Sequence, residues 1–212
     1  MHRLLPLLLI ISCSHHVETI SPNSENNSAI QPPPWILLSD GSSKEGWAMA
    51  GPGNFSIEDG TLKAIGGMGL FWYESRAFKD FKLSLEWQVE AKANNSGIFV
   101  RFPNPGEDPW VAVNKGYELQ ICDTGGKKHD TGSVYSFQEA SHMPTKDVGM
   151  WNRYEIEVIG QQYTIAINGE VVNQFIGDRS LEGYIGIQNH DDNSPVRYRN
   201  IRVQEIFPQI TQ

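Results

Sequence analysis

Four short stretches hold the side chains best suited to chemistry. In "GYELQICD", Gly116 to Asp123, Tyr117, Leu119 and Ile121 alternate with Glu118, Gln120 and Cys122, the period of a strand whose successive side chains point to opposite faces. "GYIGIQNH" sets Ile185 and Ile187 against Gln188 and His190. "SGIFVRF" sets Ile98 and Val100 against Phe99 and Arg101. "FKLSLEWQVEA" sets Leu83, Leu85, Trp87 and Val89 against Glu86 and Gln88. If each apolar set faces a core, the other faces carry Glu, Gln, Arg, His and Phe. A merely wet sheet face favours Lys, Thr and Ser, whereas these groups are bidentate or titratable. Planar polar groups beside an aromatic ring suit hydroxyl-rich ligands, because each hydroxyl both donates and accepts. The expectation is that these strands share one sheet, so that Arg101, Glu118, Gln120, Gln188, His190 and Glu86 converge on one surface.

Other candidates are weaker singly. Tyr135 in "TGSVY" has the parity to reach such a surface, and Trp110 in "PNPGEDPWVAVNK" offers a ring for stacking, although aromatic residues in loops more often bury their own loop. Asp123 has the opposite parity to Glu118 and ends its strand, so it is expected to cap a turn. Cys122 shares the face of Glu118, but no histidine is fixed near it in sequence, which argues against a thiol nucleophile.

The elements that must position these groups are short alternating runs separated by Gly, Pro, Asn and Asp. "FSIEDGTLKAIG" reads as a hairpin turning at Asp59-Gly60, and "RYEIEVIGQQYTIAINGEVVNQF" as three strands, the last two joined through Asn168-Gly169; both dipeptides favour the positive φ of tight hairpin turns. "GSVYSF" reads as a further strand, and "VRYRNIRVQEI" closes the series. Pro103 to Lys115 and Gln138 to Met150 read as long surface loops. No helical run of three turns follows the N-terminal segment, so an all-β antiparallel sandwich is expected rather than alternating strands and helices.

The 212 residues are 39% hydrophobic and 20% charged, with a net charge of −8 and no Lys/Arg cluster. That fits one globular core and argues against nucleic acid as a partner. "MHRLLPLLLIISCS" has a basic start and an apolar run too short to span a bilayer, as in an export signal. Its ending, Ile10-Ile11-Ser12-Cys13, resembles a bacterial lipobox. The expected organisation is a signal peptide over 1–12, a lipidated Cys13 with a Pro-rich tether over 13–34, and a domain over 35–208, anchored in the bacterial cell envelope through lipid alone. The only other cysteine is Cys122, so no disulfide is expected.

In their order and spacing, "NNSGIFVRF", "GYELQICD", "TGSVY", "WNRYEIEVIG", "INGEVV", "GYIGIQNH" and "VRYRNIRVQEI" resemble the motifs of the 3-keto-disaccharide hydrolase domain, also described as a 3-keto-glucoside lyase/hydratase. The resemblance spans residues 35 to 206. It implies a concanavalin A-like jelly roll with a ligand groove on its concave sheet, substrates that are glycosides oxidised at C3, and an oxidoreductase upstream that forms the ketone. A C3 ketone acidifies the C2 proton, so a base can remove it and the C1 group leaves by elimination. On this reading Glu118 or His190 is the base and the other the acid. Arg101 stabilises the developing enolate, and Glu86, Gln120, Gln188, Tyr135 and Trp110 hold substrate.

Two other readings compete. A direct glycosidase needs two carboxylates about 5 Å apart, or wider for inversion, and only Glu86 and Glu118 could supply them. A non-catalytic carbohydrate-binding module needs amides and aromatics but no titrating pair. "NHDDNS" and "SDGSS" carry the oxygen ligands of calcium loops without a spaced pattern. A structural calcium or another divalent cation is compatible with them, but turn chemistry explains both more simply, and no residue is assigned to metal.

Overall fold

A computed structural model describes residues 32–207. The export signal, Cys13 and nearly all of the tether lie outside that span. Among the described residues thirteen strands form two antiparallel sheets, accompanied by one short α-helix and a 3-10 turn at Lys127–His129. The larger contains β1 (Ile36–Ser39), β3 (Asn54–Glu58), β4 (Thr61–Ile65), β6 (Phe81–Val89), β9 (Asn152–Ile159), β10 (Gln162–Ile167), β11 (Glu170–Ile176) and β13 (Val196–Glu205). The smaller runs in the order β2 (Trp47–Ala50), β5 (Gly69–Tyr73), β12 (Tyr184–Asn189), β7 (Ser96–Phe102) and β8 (Tyr117–Ile121).

The expected sandwich is present. Leu83, Leu85 and Trp87 from β6 meet Ile98 and Val100 from β7, Leu119 and Ile121 from β8, and Ile185 and Ile187 from β12 in one buried cluster. The two hairpin turns also form as expected. Asp59-Gly60 has φ of 51° and 68° and Asn168-Gly169 has φ of 53° and 89°, the left-handed pair that matches strand twist.

Three features differ from the sequence reading. Pro103 to Lys115 is not loop throughout, since Trp110–Lys115 forms a helix, α1. Ala112 on α1 is fully buried against Leu70, Trp72, Phe99 and Phe102, so α1 roofs part of the smaller sheet on the side away from the main core. "GSVYSF" is not a regular strand, because Val134 makes only isolated bridges to Leu119 and Gln138. β1, β2 and β5 are not marked by the sequence pattern. Leu70, Phe71 and Trp72 of β5 are all buried, two facing the roofed side and one the main core, and a run that is apolar on both faces shows no alternation.

The roof has a direct consequence for the site. Every residue of β7 and β8 is buried, so the polar side chains of these strands are not on a wet face. They have been taken out of water.

Candidate functional site

A cavity of about 350 Å3 lies on the roofed face of the smaller sheet, lined among others by Asn95, Phe99, Glu118, Gln120, Tyr135, Gln188 and His190, with Met68, Pro109, Trp110 and Val113 on its apolar side. β8 supplies Glu118 and Gln120, β7 supplies Phe99, and Gln188 and His190 come from β12 and the residue just beyond its end. Three of the four strands named from the sequence therefore do meet.

Glu118 is 5% exposed and its Oε1 has no hydrogen-bond partner. Among the described residues, no lysine or arginine lines the cavity. Burial without a compensating cation disfavours the charged form, and the carboxyl is pushed up to about 8. Room for it comes from Gly97 on β7, which pairs with Gln120 two residues along from the pair Phe99 and Glu118. A Cβ on Gly97 would lie 2.7 Å from Glu118 Cγ, so the carboxyl occupies the space that a side chain would fill. Such close approach is a common reason for glycine inside a strand.

Gln120 is 2% exposed. Its Nε2 donates to Asn95 Oδ1 at 2.9 Å, which leaves Oε1 without a partner, and Gln188 Oε1 is likewise buried and unpaired. Buried polar atoms are nearly always satisfied in folded proteins. Three unpaired oxygens on side chains lining one cavity point to a polar ligand.

The framework behind them is fully bonded. Tyr154 Oη donates to the Gln120 carbonyl at 2.6 Å and accepts from Gly132 N at 2.9 Å. Tyr198 Oη donates to Ser96 Oγ at 2.6 Å, and Ser96 Oγ donates to the Gln188 carbonyl. Burial raises both phenols, Tyr154 and Tyr198, far above their ordinary range, so they stay neutral beside Glu118.

His190 is at the cavity edge, its side chain 42% exposed, with Nδ1 2.6 Å from Asp191 Oδ2. Asp191 is itself fixed, accepting from Asn193 N at 2.6 Å and Ser194 Oγ at 3.1 Å. Although burial alone would raise Asp191, the hydrogen bonds from His190, Asn193 and Ser194 outweigh it and hold the carboxyl below its usual range. An ionised Asp191 accepts a hydrogen bond from Nδ1–H and so leaves Nε2 as the nitrogen that faces outward to take a proton. Tyr135 is positioned by its N–H bond to the Glu118 carbonyl at 2.9 Å and by a stack on His129 with ring centroids 4.6 Å apart. Trp110 is 54% exposed at the cavity mouth.

Two expected members are elsewhere. Arg101 has φ of 62° and lies at a break in the β7–β12 register between Tyr184 and Ile185. Such an irregularity re-aims a side chain. Its fully buried guanidinium donates to the Ser180 carbonyl at 3.0 Å, to the Lys79 carbonyl and to Asp80 Oδ1 at 3.2 Å, and it does not line the cavity. Glu86 has the expected outward parity, but β6 belongs to the other sheet. There it accepts from Arg199 Nε at 2.7 Å, Asn200 Nδ2 at 3.0 Å and Arg153 Nη2 at 3.1 Å. Partial burial would raise it, yet these donors outweigh that and lower it below the ordinary carboxylate range. The expectation that Arg101 and Glu86 share the surface of Glu118 is thereby corrected.

Sequence reasoning missed Gly97, Asn95 and the apolar wall of Met68, Pro109 and Val113. The glycine inside an otherwise apolar strand was the available signal for the first. Asp123 ties loops, accepting from Thr131 Oγ1 at 2.6 Å and Thr145 Oγ1 at 2.9 Å. Cys122 is buried and unpaired. In the two acidic loops, Asp40 binds Ser42 N at 2.7 Å and Asp191 closes its own turn. No group of three His, Cys, Asp or Glu surrounds a common point among the described residues.

The pattern of the 3-keto-alpha-glucoside-1,2-lyase-like domain matches residues 34–204. The chain belongs to this family. Among its relatives is a 3-keto-disaccharide hydrolase of Bacteroides thetaiotaomicron, 27% identical, in an alignment covering 80% of this chain and 78% of that protein. The fold is shared with a candidate glycosyl hydrolase from Parabacteroides distasonis, with TM-score 0.68, 22% identity, and coverage of 82% of this chain and 100% of that one. A Bacillus subtilis protein with a galectin-like fold aligns with TM-score 0.56, 14% identity, and coverage of 81% and 94%. These likenesses agree with the jelly-roll sandwich built above.

Proposed function

We propose that the chain cleaves glycosides already oxidised to a ketone at C3, with His190 carrying the C2 proton to the leaving oxygen beside a neutral Glu118 carboxyl. The observation that carries this reading is Glu118 itself, a carboxyl buried without a cation in a cavity whose other buried, unpaired oxygens belong to the amides of Gln120 and Gln188. Keeping it there has a stability cost, which a purely structural residue would have no reason to impose. Family membership and the Bacteroides relative's name support the same substrate class.

The chemistry balances with these groups. His190 Nε2 takes the C2 proton, and the electron pair moves toward the C3 oxygen as an enolate. The pair then returns, C1=C2 forms, the C1–O bond breaks, and the leaving oxygen takes the proton that His190 carries. Addition of water across C1=C2 completes a net hydrolysis with no change in oxidation state. An ordinary retaining or inverting glycosidase needs a second carboxylate, and the cavity lining offers only Glu118, which disfavours that alternative.

The test compares a 3-keto-glucoside with its unoxidised parent, using wild type and His190→Asn. Turnover of the keto sugar alone, lost in the variant, supports the proposal. Equal turnover of both sugars, or full activity in the variant, contradicts it. The same reading puts the enzyme in the cell envelope through Cys13. Palmitate labelling that survives Cys13→Ala would remove that anchor.

A further inference from the structure

Arg101 was the expected partner for the ketone oxygen, and its guanidinium is bound elsewhere. Which group, then, replaces it? The buried oxygens without a partner on the lining side chains are Glu118 Oε1, Gln120 Oε1 and Gln188 Oε1. The amide oxygens of Gln120 and Gln188 only accept, so each suits a sugar hydroxyl that donates. A ketone oxygen has no proton to give, and placed against either amide oxygen it would meet acceptor with acceptor. Of these three oxygens, only that of a carboxyl that keeps its proton can donate.

We propose, building on the reading above, that the un-ionised Glu118 carboxyl donates a hydrogen bond to the substrate's C3 ketone oxygen, and so selects the oxidised sugar and stabilises its enolate. The surroundings favour the neutral form from every side. Tyr154 and Tyr198 behind the strand are uncharged, Tyr135 and His190 share the cavity, Asp191 beyond His190 is anionic, and no cation lines the cavity. Burial also keeps the proton on at neutral pH. A donor fixed in a water-poor site costs no reorganisation as charge develops on the oxygen it faces, which is why such groups stabilise enolates well. A carboxylic acid kept neutral by an apolar site to hydrogen-bond a developing enolate is an established device in steroid isomerisation. Glu118 thus has a role distinct from proton transfer to the leaving group. The amide of Glu118→Gln, which keeps an N–H donor at every pH, should preserve ketone recognition, whereas Glu118→Ala should not.

The test measures calorimetric affinities for methyl 3-keto-glucoside and methyl glucoside at pH 6.5 and 9. It is done in the His190→Asn background, which halts turnover and removes the imidazole. The expected result is a preference for the ketone of about tenfold or more at pH 6.5, lost at pH 9. Adding Glu118→Gln keeps the preference at both values, and adding Glu118→Ala abolishes it at both. A ketone preference indifferent to pH, or one that survives Glu118→Ala, overturns the proposal. If wild type nevertheless turns over the keto sugar, the functional reading stands and only the role of Glu118 falls. If the pH-dependent preference appears but wild type shows no turnover, the reading falls and the recognition stands. Binding of neither sugar removes both.

Discussion

Glu86 and Glu118 occupy equivalent positions in their strands, each flanked by apolar residues that enter the core, yet they end in opposite electrostatic states. Glu86 on the larger sheet collects Arg153, Arg199 and Asn200, and its carboxyl is lowered. Glu118 on the smaller sheet has no donor on Oε1 and is raised to about 8. The difference comes from what covers each face. The outer face of β6 is open enough for long basic side chains to reach across from β9 and β13, whereas α1 and the loops roof the face carrying Glu118. A satisfied carboxylate supports the fold. An unsatisfied one in a cavity is available to a ligand.

The sharpest break in that comparison concerns turnover. His190→Asn should lower kcat by roughly a thousandfold, within the range for losing a positioned general base, with an unchanged melting temperature. Glu86→Gln should leave kcat within about twofold. The reverse pattern in steady-state assays would place the chemistry on the larger sheet.

Stability should separate the two glutamates with opposite signs. Burial raises the folded-state pKa of Glu118 from its ordinary 4.5 to about 8, so between those values the native state holds a proton that the unfolded chain has released. Stability therefore falls as pH rises across that window and levels off above it. Glu118→Gln removes the titration and should gain up to about 3 kcal/mol at pH 7 relative to wild type, with the gain shrinking toward pH 4.5. Denaturant unfolding at several pH values checks this; an equal pH slope in both proteins would mean that Glu118 is ionised in the fold. Glu86→Gln should instead lose about 1 kcal/mol, since it leaves two arginines short of a carboxylate near the surface.

Gly97→Ala probes the space that Glu118 occupies. The added methyl must displace the Glu118 side chain, at about 1–3 kcal/mol of overpacking, and kcat/KM should fall with stability. Retained activity would show that the carboxyl is not held where the structure places it. The smallest effect belongs to Trp110→Ala, which should raise KM several-fold through lost stacking of about 1 kcal/mol while sparing kcat. A kcat loss with no change in KM would place Trp110 closer to the chemistry than the cavity mouth.

Much of this comparison can be read from the sequence because strand alternation is a local rule. Tyr117, Leu119 and Ile121 facing the core, with Glu118 and Gln120 opposite, follows from period two alone, as does the opposition of Ile185 and Ile187 to Gln188. Hairpin dipeptides fixed two turns for the same reason. Sheet membership is not local, so parity could not assign Glu86 and Glu118 to different sheets. Arg101 defeated parity through a register break that no pattern announces. α1 is six residues long, too short for helical periodicity to show, yet it helps make the face of Glu118 a dry one. The burial that gives Glu118 its character is the property least visible in the sequence.

The most direct measurement is the titration of the Glu118 carboxyl itself, followed by carbon NMR of protein labelled at glutamate carboxyls and assigned by loss of the signal in Glu118→Gln. The account predicts a single resonance that stays protonated through neutrality and titrates near 8. A midpoint in the ordinary glutamate range, about 4.3, would contradict it, leaving the cavity without a neutral donor for a ketone.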